Sequence, residues 1–128
     1  MELPTDKHAV LRIMARPSDV NISGDIFGGW LMSQCDIAAG IVARKIAGGR
    51  VVTVSVKEFQ FLAPVLIADI VSIYATESRV GTTSVTVDID VLVERLAENE
   101  TQTLRVAQAQ IVFVHIDENR QPKNINQQ

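Results

Sequence analysis

The most apolar segment of the chain predicts one long helix, from Gly28 or Gly29 to Ala47. Apolar side chains recur nearly all the way around this segment, which is typical of a helix wrapped by other structure. Gly28 and Gly29 open the helix, and Gly48 and Gly49 stop it. We therefore expect a central helix that the rest of the fold covers.

The remaining segments show the period of two that is typical of strands. The clearest alternation runs from Val85 to Glu94, where apolar residues alternate with threonine and acidic residues. In the second of the predicted strands the apolar phase changes after Val56, which indicates a bulge near Lys57 and Glu58. The predicted strands lie at residues 10–14, 51–61, 69–80, 85–94 and 104–116. One strand, one helix and then further strands, with no βαβ repeat, favour an α+β fold in which an antiparallel sheet curls around the helix.

Composition and charge restrict the class of protein. The chain has 128 residues, of which 47% are apolar and 21% charged, and this suits one folded domain. We expect a flexible N-terminus at residues 1–9, a domain at residues 10–116, and a polar, extended or disordered tail at residues 117–128. The net charge of −3 and the pI of about 5.3 argue against nucleic-acid binding.

The N-terminal residues and the cysteine content indicate the cellular setting. Charges fall within the first seven residues and no apolar stretch follows, so no signal peptide is predicted. No apolar run approaches the roughly 20 residues of a membrane helix, and no membrane partner is expected. The single cysteine, Cys35, excludes an internal disulfide and a zinc cluster. A cytoplasmic protein fits these features.

Asp36 is the one carboxylate within the predicted helix, and it is the first candidate for chemistry. A carboxylate among apolar neighbours usually has a functional or a pairing reason. The helix start at Gly28 and Gly29 is the second candidate, because its N–H groups can hold an anion or a developing oxyanion. Gly29 and Asp36 are seven residues apart, or roughly 10 Å of helix rise. If the two groups cooperate, the active site is shared between two subunits.

Other candidates have simpler structural interpretations. Asn21 and Asp25 suit turns and caps, and the turn from Gly81 to Ser84 suits an ordinary hairpin. The two histidines, His8 and His115, lie outside the helix, so a Ser-His-Asp triad is not favoured. No cluster of His, Cys and carboxylates has the spacing of metal ligands, so no metal is expected.

Several motifs together resemble the hotdog-fold acyl-CoA thioesterases, most closely the short bacterial YciA-like type. The principal match runs from Met14 to Asn21 and from Gly24 to Asp36, and it contains the sequence Gly-Asp-Ile-Phe-Gly-Gly-Trp. Later segments that match lie at residues 51–54, 61–64 and 80–84. The resemblance covers nearly the whole chain, from about Val10 to Ile116.

The resemblance implies a hotdog fold with a sheet of five or six strands, and hydrolysis of acyl-CoA to a free acid and CoA without a cofactor. It also implies a homodimer with two shared active sites, often assembled into a trimer of dimers. The family's catalytic carboxylate falls on Asp36, and the glycines that polarise the thioester carbonyl fall on Gly28 and Gly29. The implied substrate-binding positions are Asn21, Asp25, Phe27, Thr53 and Gly81. Relatives often carry a basic residue at the position of Thr82, so this turn is not assigned to the CoA phosphates.

Three alternatives stay open at the level of sequence. Asp36 can act as a general base on water or as a direct nucleophile. A non-catalytic acyl-CoA-binding hotdog module is the rival class, and retention of both Asp36 and the double glycine argues for the enzyme. A hotdog dehydratase would need a histidine near the helix, where none occurs. The preferred acyl-chain length is not predicted.

Overall fold

A computed structural model describes residues 1–126 and contains five strands and one long helix. The elements are β1 (Leu11–Met14), a short 3-10 helix (Pro17–Asp19), α1 (Gly28–Ala47), β2 (Val51–Phe61), β3 (Ile70–Val80), β4 (Ser84–Ala97) and β5 (Glu100–His115). The strands form one sheet in the order β1-β3-β4-β5-β2, and every neighbouring pair is antiparallel. The predicted α+β architecture, one antiparallel sheet with one long helix, is confirmed with five strands.

Helix α1 begins at Gly28 and ends where Gly48 adopts a left-handed conformation with φ of 74°. Its buried face is built from Leu31, Cys35 and a series of alanines, and these small side chains let the helix pack closely on the sheet. The opposite face is not covered by the chain's own sheet. Met32, Ile37 and Ile41 are 37%, 52% and 40% exposed. The expectation of a helix wrapped on all sides is therefore wrong for one chain, because one sheet can cover only one side of a helix.

The inner face of the sheet supplies most of the core. The alternation predicted for β4 is confirmed, since its odd-numbered residues from Val85 to Val93 are buried while Asp88 is exposed and Asp90 is partly exposed. Val71 and Ile73 of β3 and Ile111 of β5 complete this layer. Burial of each such side chain stabilises the fold by about 1.5–3 kcal/mol. In the part of the chain that the structure describes, no helix is long and apolar enough to cross a membrane.

Strand β2 is a long edge strand with two interruptions in its pairing to β5. One lies between Lys57 and Gln60, where Glu58 has a positive φ of 51°, and this confirms the predicted bulge. The other lies between Thr53 and Ser55 and was not predicted. Bulges turn side chains to new directions and are common beside active sites. Two apolar residues of this strand, Val54 and Val56, are 55% and 41% exposed in the single chain.

The residues after β5 follow a defined path over the end of the sheet. The N–H of Lys123 donates to the carbonyl of His115, and the N–H of Ile125 donates to the carbonyl of Thr82. Ile125 is only 8% exposed. Of the two forms predicted for the tail, the extended one describes residues 121–126, and Gln127 and Gln128 lie outside the described residues.

Candidate active site

A cleft of about 340 Å³ lies between the start of α1 and the corner that follows β2. Its lining residues are Asn21, Asp25, Ile26, Gly28, Leu31 and the segment 61–65. The structure thus brings three of the predicted site residues, Asn21, Asp25 and Gly28, to one place. Apolar side chains form most of the remaining wall, so the cleft suits a ligand with an apolar part and a polar atom near the helix start.

The helix start offers hydrogen-bond donors to this cleft. Phe27 is the N-cap residue, and no side chain among residues 1–126 caps the first turn. The N–H groups of a first helical turn lack partners within the helix and carry a partial positive charge. A Cβ atom on Gly28 would lie 3.4 Å from the ring of Phe61, an ordinary contact distance, so the helix start packs directly against this wall.

Asn21 is held by its own loop. Its Oδ1 accepts hydrogen bonds from the N–H groups of Ser23, at 2.9 Å, and Asp25, at 3.3 Å. This confirms the turn-making role predicted for Asn21. Because the amide oxygen is used in this way, the amide Nδ2 is the end of the side chain that can donate to a ligand in the cleft.

Asp36 lies in the middle of α1 and is half-buried. Its Oδ1 accepts a hydrogen bond of 2.6 Å from Oγ1 of Thr53 on β2. The ion pairs formed within residues 1–126 do not include Asp36. The adjacent residues along the two elements, Ile37 and Val54, are exposed apolar side chains. Asp36 is therefore an oriented carboxylate at the border of an uncovered apolar surface.

Cys35 precedes Asp36 but belongs to the core. Burial, and secondarily the negative charge of Asp36, raises the pKa of its thiol from 9.0 to about 12. A thiol with this pKa stays protonated near neutral pH and is a poor nucleophile.

One chain does not bring Asp36 to the cleft. Gly28 and Asp36 are eight residues apart, or roughly 12 Å of helix rise. On the sheet, Thr53 pairs with Phe113 whereas Phe61 pairs with Ala107, and the six positions between these two residues of β5 span roughly 20 Å. The site residues therefore fall into two groups within the chain, the helix start with its loop and the Asp36–Thr53 pair.

Two further predicted positions, Phe27 and Gly81, do not line the cleft, although Phe27 is the N-cap residue of the helix start beside it. Phe27 is 56% exposed, and its ring lies 3.5 Å from the point that a Cβ atom on Gly29 would occupy. The N–H of Gly81 donates to the carbonyl of Ser84 in a tight turn, as its hairpin interpretation requires. Gly81 lines a different cleft, of about 540 Å³, with Thr82 and Asn124. Neither Phe27 nor Gly81 lines the cleft at the helix start.

Sequence reasoning did not identify one part of the site, the wall at residues 61–65. The sequence marks it only by Pro64, which follows the predicted strand 51–61, and by the short family match at residues 61–64. A bidentate ion pair between Asp69 and Arg95 lies behind this wall. The hydrogen bonds to Asp69 raise the pKa of the Arg95 guanidinium. No local pattern connects two residues that are 26 positions apart.

One long helix packed on a five-stranded antiparallel sheet, with a cleft at the helix start, is the architecture of a hotdog-fold protein. The chain belongs to the thioesterase superfamily, whose family model matches residues 23–98. This confirms the resemblance derived from the motifs around Gly28 and Asp36.

Individual relatives match most of the chain. The acyl-CoA thioester hydrolase YciA of Salmonella typhimurium is 45% identical over 115 residues, which are 89% of this chain and 86% of that protein. The hexameric thioesterase y2039 of Yersinia pestis has a TM-score of 0.89 and 42% identity, covering 98% of this chain and all of the other (100%). The hexameric hotdog-fold thioesterase Cj0915 of Campylobacter jejuni has a TM-score of 0.91 and 36% identity, covering 96% of this chain and 93% of the other.

Proposed function

We propose that this protein is an acyl-CoA thioesterase, which hydrolyses an acyl-CoA to a carboxylic acid and CoA. The similarity to acyl-CoA thioester hydrolases along nearly the whole chain supports this function. The observation that carries the chemistry is the Asp36 carboxylate, which Thr53 orients at 2.6 Å and which is outside the ion pairs of the described residues. Acyl-CoA and a free thiol such as Cys35 both fit a reducing compartment, so we expect the enzyme in the cytoplasm.

In the proposed mechanism the thioester carbonyl lies at the start of α1. The N–H groups of Gly28 and Gly29 and the Nδ2 group of Asn21 donate to its oxygen and stabilise the negative charge that develops there. Asp25 and Phe27 flank this position on the same segment and complete the polar and apolar sides of the entrance. Each donor of this kind contributes about 10²–10³ in rate.

Asp36 attacks the carbonyl or activates the water that does. As a general base it takes a proton from water while the water oxygen bonds to the acyl carbon; the carbon–sulfur bond then breaks and CoA leaves as a thiolate that is reprotonated. As a nucleophile its carboxylate oxygen bonds to the acyl carbon, the carbon–sulfur bond breaks and CoA leaves as a thiolate that is reprotonated; water then cleaves the resulting acyl–aspartyl anhydride. A single turnover in heavy-oxygen water distinguishes the routes. The general-base route places the label only in the acid, whereas the nucleophilic route can leave the label on the Asp36 carboxylate and pass an unlabelled oxygen of Asp36 to the acid.

We further propose that two chains share each site, with Asp36 and Thr53 from one and the helix start with Asn21 from the other. The roughly 12 Å of helix that separates Gly28 from Asp36 supports this arrangement. So does the exposed apolar surface beside Asp36, which includes Ile37, Ile41 and Val54. The long, unpaired edge of β2 is a second surface suited to a partner chain.

The hexameric relatives extend this proposal to a trimer of dimers. The role proposed for Gly81 depends on this assembly: its turn in one subunit would contact substrate that is bound between two other chains. Mass measurement in solution tests the stoichiometry.

The test of the function is thiol release from a panel of short, medium and long acyl-CoAs, with Asp36→Asn as the matched variant. This variant keeps the size of the side chain and an oxygen that can accept from Thr53. We expect the rate of thiol release by Asp36→Asn to be about 10²–10⁴-fold below that of the wild type, with an unchanged melting temperature. Wild-type protein that binds acyl-CoA without releasing thiol would instead be the non-catalytic binding module. An Asp36→Asn variant with wild-type turnover would overturn the role of Asp36.

A further inference from the structure

One arginine ties the corner between β2 and β3 to the sheet, beside backbone hydrogen bonds from Leu62 and Ala63 to Val106 of β5. Nε of Arg95 donates to Oδ1 of Asp69 at 2.9 Å, and Nη2 donates to Oδ2 at 2.7 Å. The same Nη2 donates to the carbonyl of Pro64 at 3.0 Å. Asp69 is 1% exposed, and its Oδ2 also accepts from the N–H of Leu66 at 2.8 Å. Every one of the Arg95 bonds ends on the segment from Pro64 to Asp69.

The same segment forms a wall of the cleft and touches the start of α1. Pro64 and Val65 line the cleft. The carbonyl of Val65 accepts from the N–H of Ile26 at 3.0 Å, two residues before Gly28. Ala68 has a φ of 72°, a conformation that a non-glycine residue keeps only when its surroundings hold it. A change at Arg95 can therefore reach both the apolar wall and the oxyanion donors.

We propose that Arg95 is a positioning residue that sets the acyl-group preference of the cleft by fixing the Pro64–Val65 wall through Asp69. The inference rests on the proposed thioesterase function and deepens it. The cleft would hold the acyl chain against this wall, and the width of the cleft would follow the position of Pro64. In an apolar pocket, one extra or missing methylene of the substrate changes kcat/KM by about 10- to 200-fold. A small displacement of the wall can therefore change which acyl group the cleft prefers.

A purely stabilising role is the alternative, and the chain contains a control pair with the same bidentate geometry at a more exposed position. Arg105 and Asp90 form a second bidentate pair, with Nε–Oδ1 and Nη2–Oδ2 distances of 2.7 and 3.0 Å. This pair joins β5 to β4, as neighbours across the sheet, and neither residue lines the cleft at the helix start. Loss of either pair can lower stability, but only the pair at Asp69 is joined to the cleft wall.

The test compares Arg95→Lys with Arg105→Lys. A lysine keeps the charge and can still reach one carboxylate, but its single ammonium group cannot reproduce the planar fork that holds both oxygens of Asp69 and the carbonyl of Pro64. For each variant kcat and KM are measured across straight and branched acyl-CoAs of increasing length. We expect Arg95→Lys to raise the kcat/KM of bulky acyl groups relative to short ones by about tenfold, mainly through KM. Arg105→Lys is expected to keep the wild-type ratios.

Ratios between substrates do not depend on how much of the protein is folded, so a loss of stability alone leaves them unchanged. Unchanged ratios in Arg95→Lys, with wild-type hydrolysis intact, would overturn the inference and leave the thioesterase function standing. An equal change in both variants would also overturn it, because it would show a general effect of the sheet. Absence of hydrolysis by the wild-type protein would refute the proposed function, and with it this inference.

Discussion

Thr53 Oγ1 donates a 2.6 Å hydrogen bond to Oδ1 of Asp36, which joins the edge strand β2 to the middle of α1. The bond fixes one carboxylate oxygen and leaves the other to face a substrate. The pairing irregularity between Thr53 and Ser55 lies directly beside it. A local distortion of β2 therefore accompanies the contact that orients the proposed catalytic carboxylate.

Thr53→Val removes this hydroxyl while keeping the shape of the side chain. A hydrogen bond to a charged group contributes about 1.5–3 kcal/mol, so we expect kcat to fall about 10- to 100-fold. Thr53→Ser retains the hydroxyl and should stay within a few-fold of wild type. Steady-state kinetics on one good acyl-CoA substrate measure the difference, and equal rates for the Val and Ser variants would show that orientation by Thr53 is unimportant.

Asn21→Asp separates the two roles of Asn21. The aspartate keeps an oxygen that can accept from the N–H groups of Ser23 and Asp25, so the loop and the melting temperature should change little. It loses the Nδ2 donor and adds a negative charge near the developing oxyanion. We expect kcat to fall about 10²- to 10³-fold. A variant with near-normal kcat would limit Asn21 to its role in the loop.

Cys35 should be unreactive in the folded enzyme. Its pKa of about 12 keeps the thiol protonated, and burial excludes reagents. A chromogenic disulfide reagent at pH 8 should detect no thiol in native protein and one thiol per chain after denaturation. Rapid labelling of the native protein would contradict the buried position.

The raised pKa of Cys35 also predicts the direction of a pH effect on stability. The folded state holds the thiol proton more tightly than the unfolded state, whose pKa is near 9.0. The contribution is therefore complete below about pH 9 and is lost as pH rises through about 12. Denaturant titrations of the wild type and Cys35→Ala should show that the wild type alone loses this part of its stability over that range.

The sequence predicts the elements whose signals are local. The bounds of α1 follow from the apolar run between Gly28 and Gly48, and the alternation in β4 identifies its inner face. The change of phase after Val56 identifies the second bulge of β2. Asp36 is recognised because a carboxylate within an apolar helix is conspicuous, and the motif match is the basis of the role proposed for it.

The parts that the sequence does not predict depend on distant residues or on a second chain. The exposed side of α1 at Ile37 and Ile41 is as apolar as a side that packs in the core. The sequence pattern therefore cannot show which side of the helix the chain's own sheet covers. The bulge beside Thr53 leaves no break in the alternation of valines. The contact of Arg95 with Asp69 joins β4 to the corner before β3 and has no local signature.

Complementation between two inactive variants tests the shared active site most directly. Asp36→Asn and Asn21→Asp subunits are unfolded together, refolded as a mixture, and assayed for acyl-CoA hydrolysis against each variant refolded alone. If Asp36 of one chain works with Asn21 and Gly28 of another, half of the randomly paired dimers are mixed and one of their two sites is intact, so activity should return to about a quarter of the wild-type value. A mixture no more active than the separate variants would contradict the shared site and place all the catalytic groups in one chain.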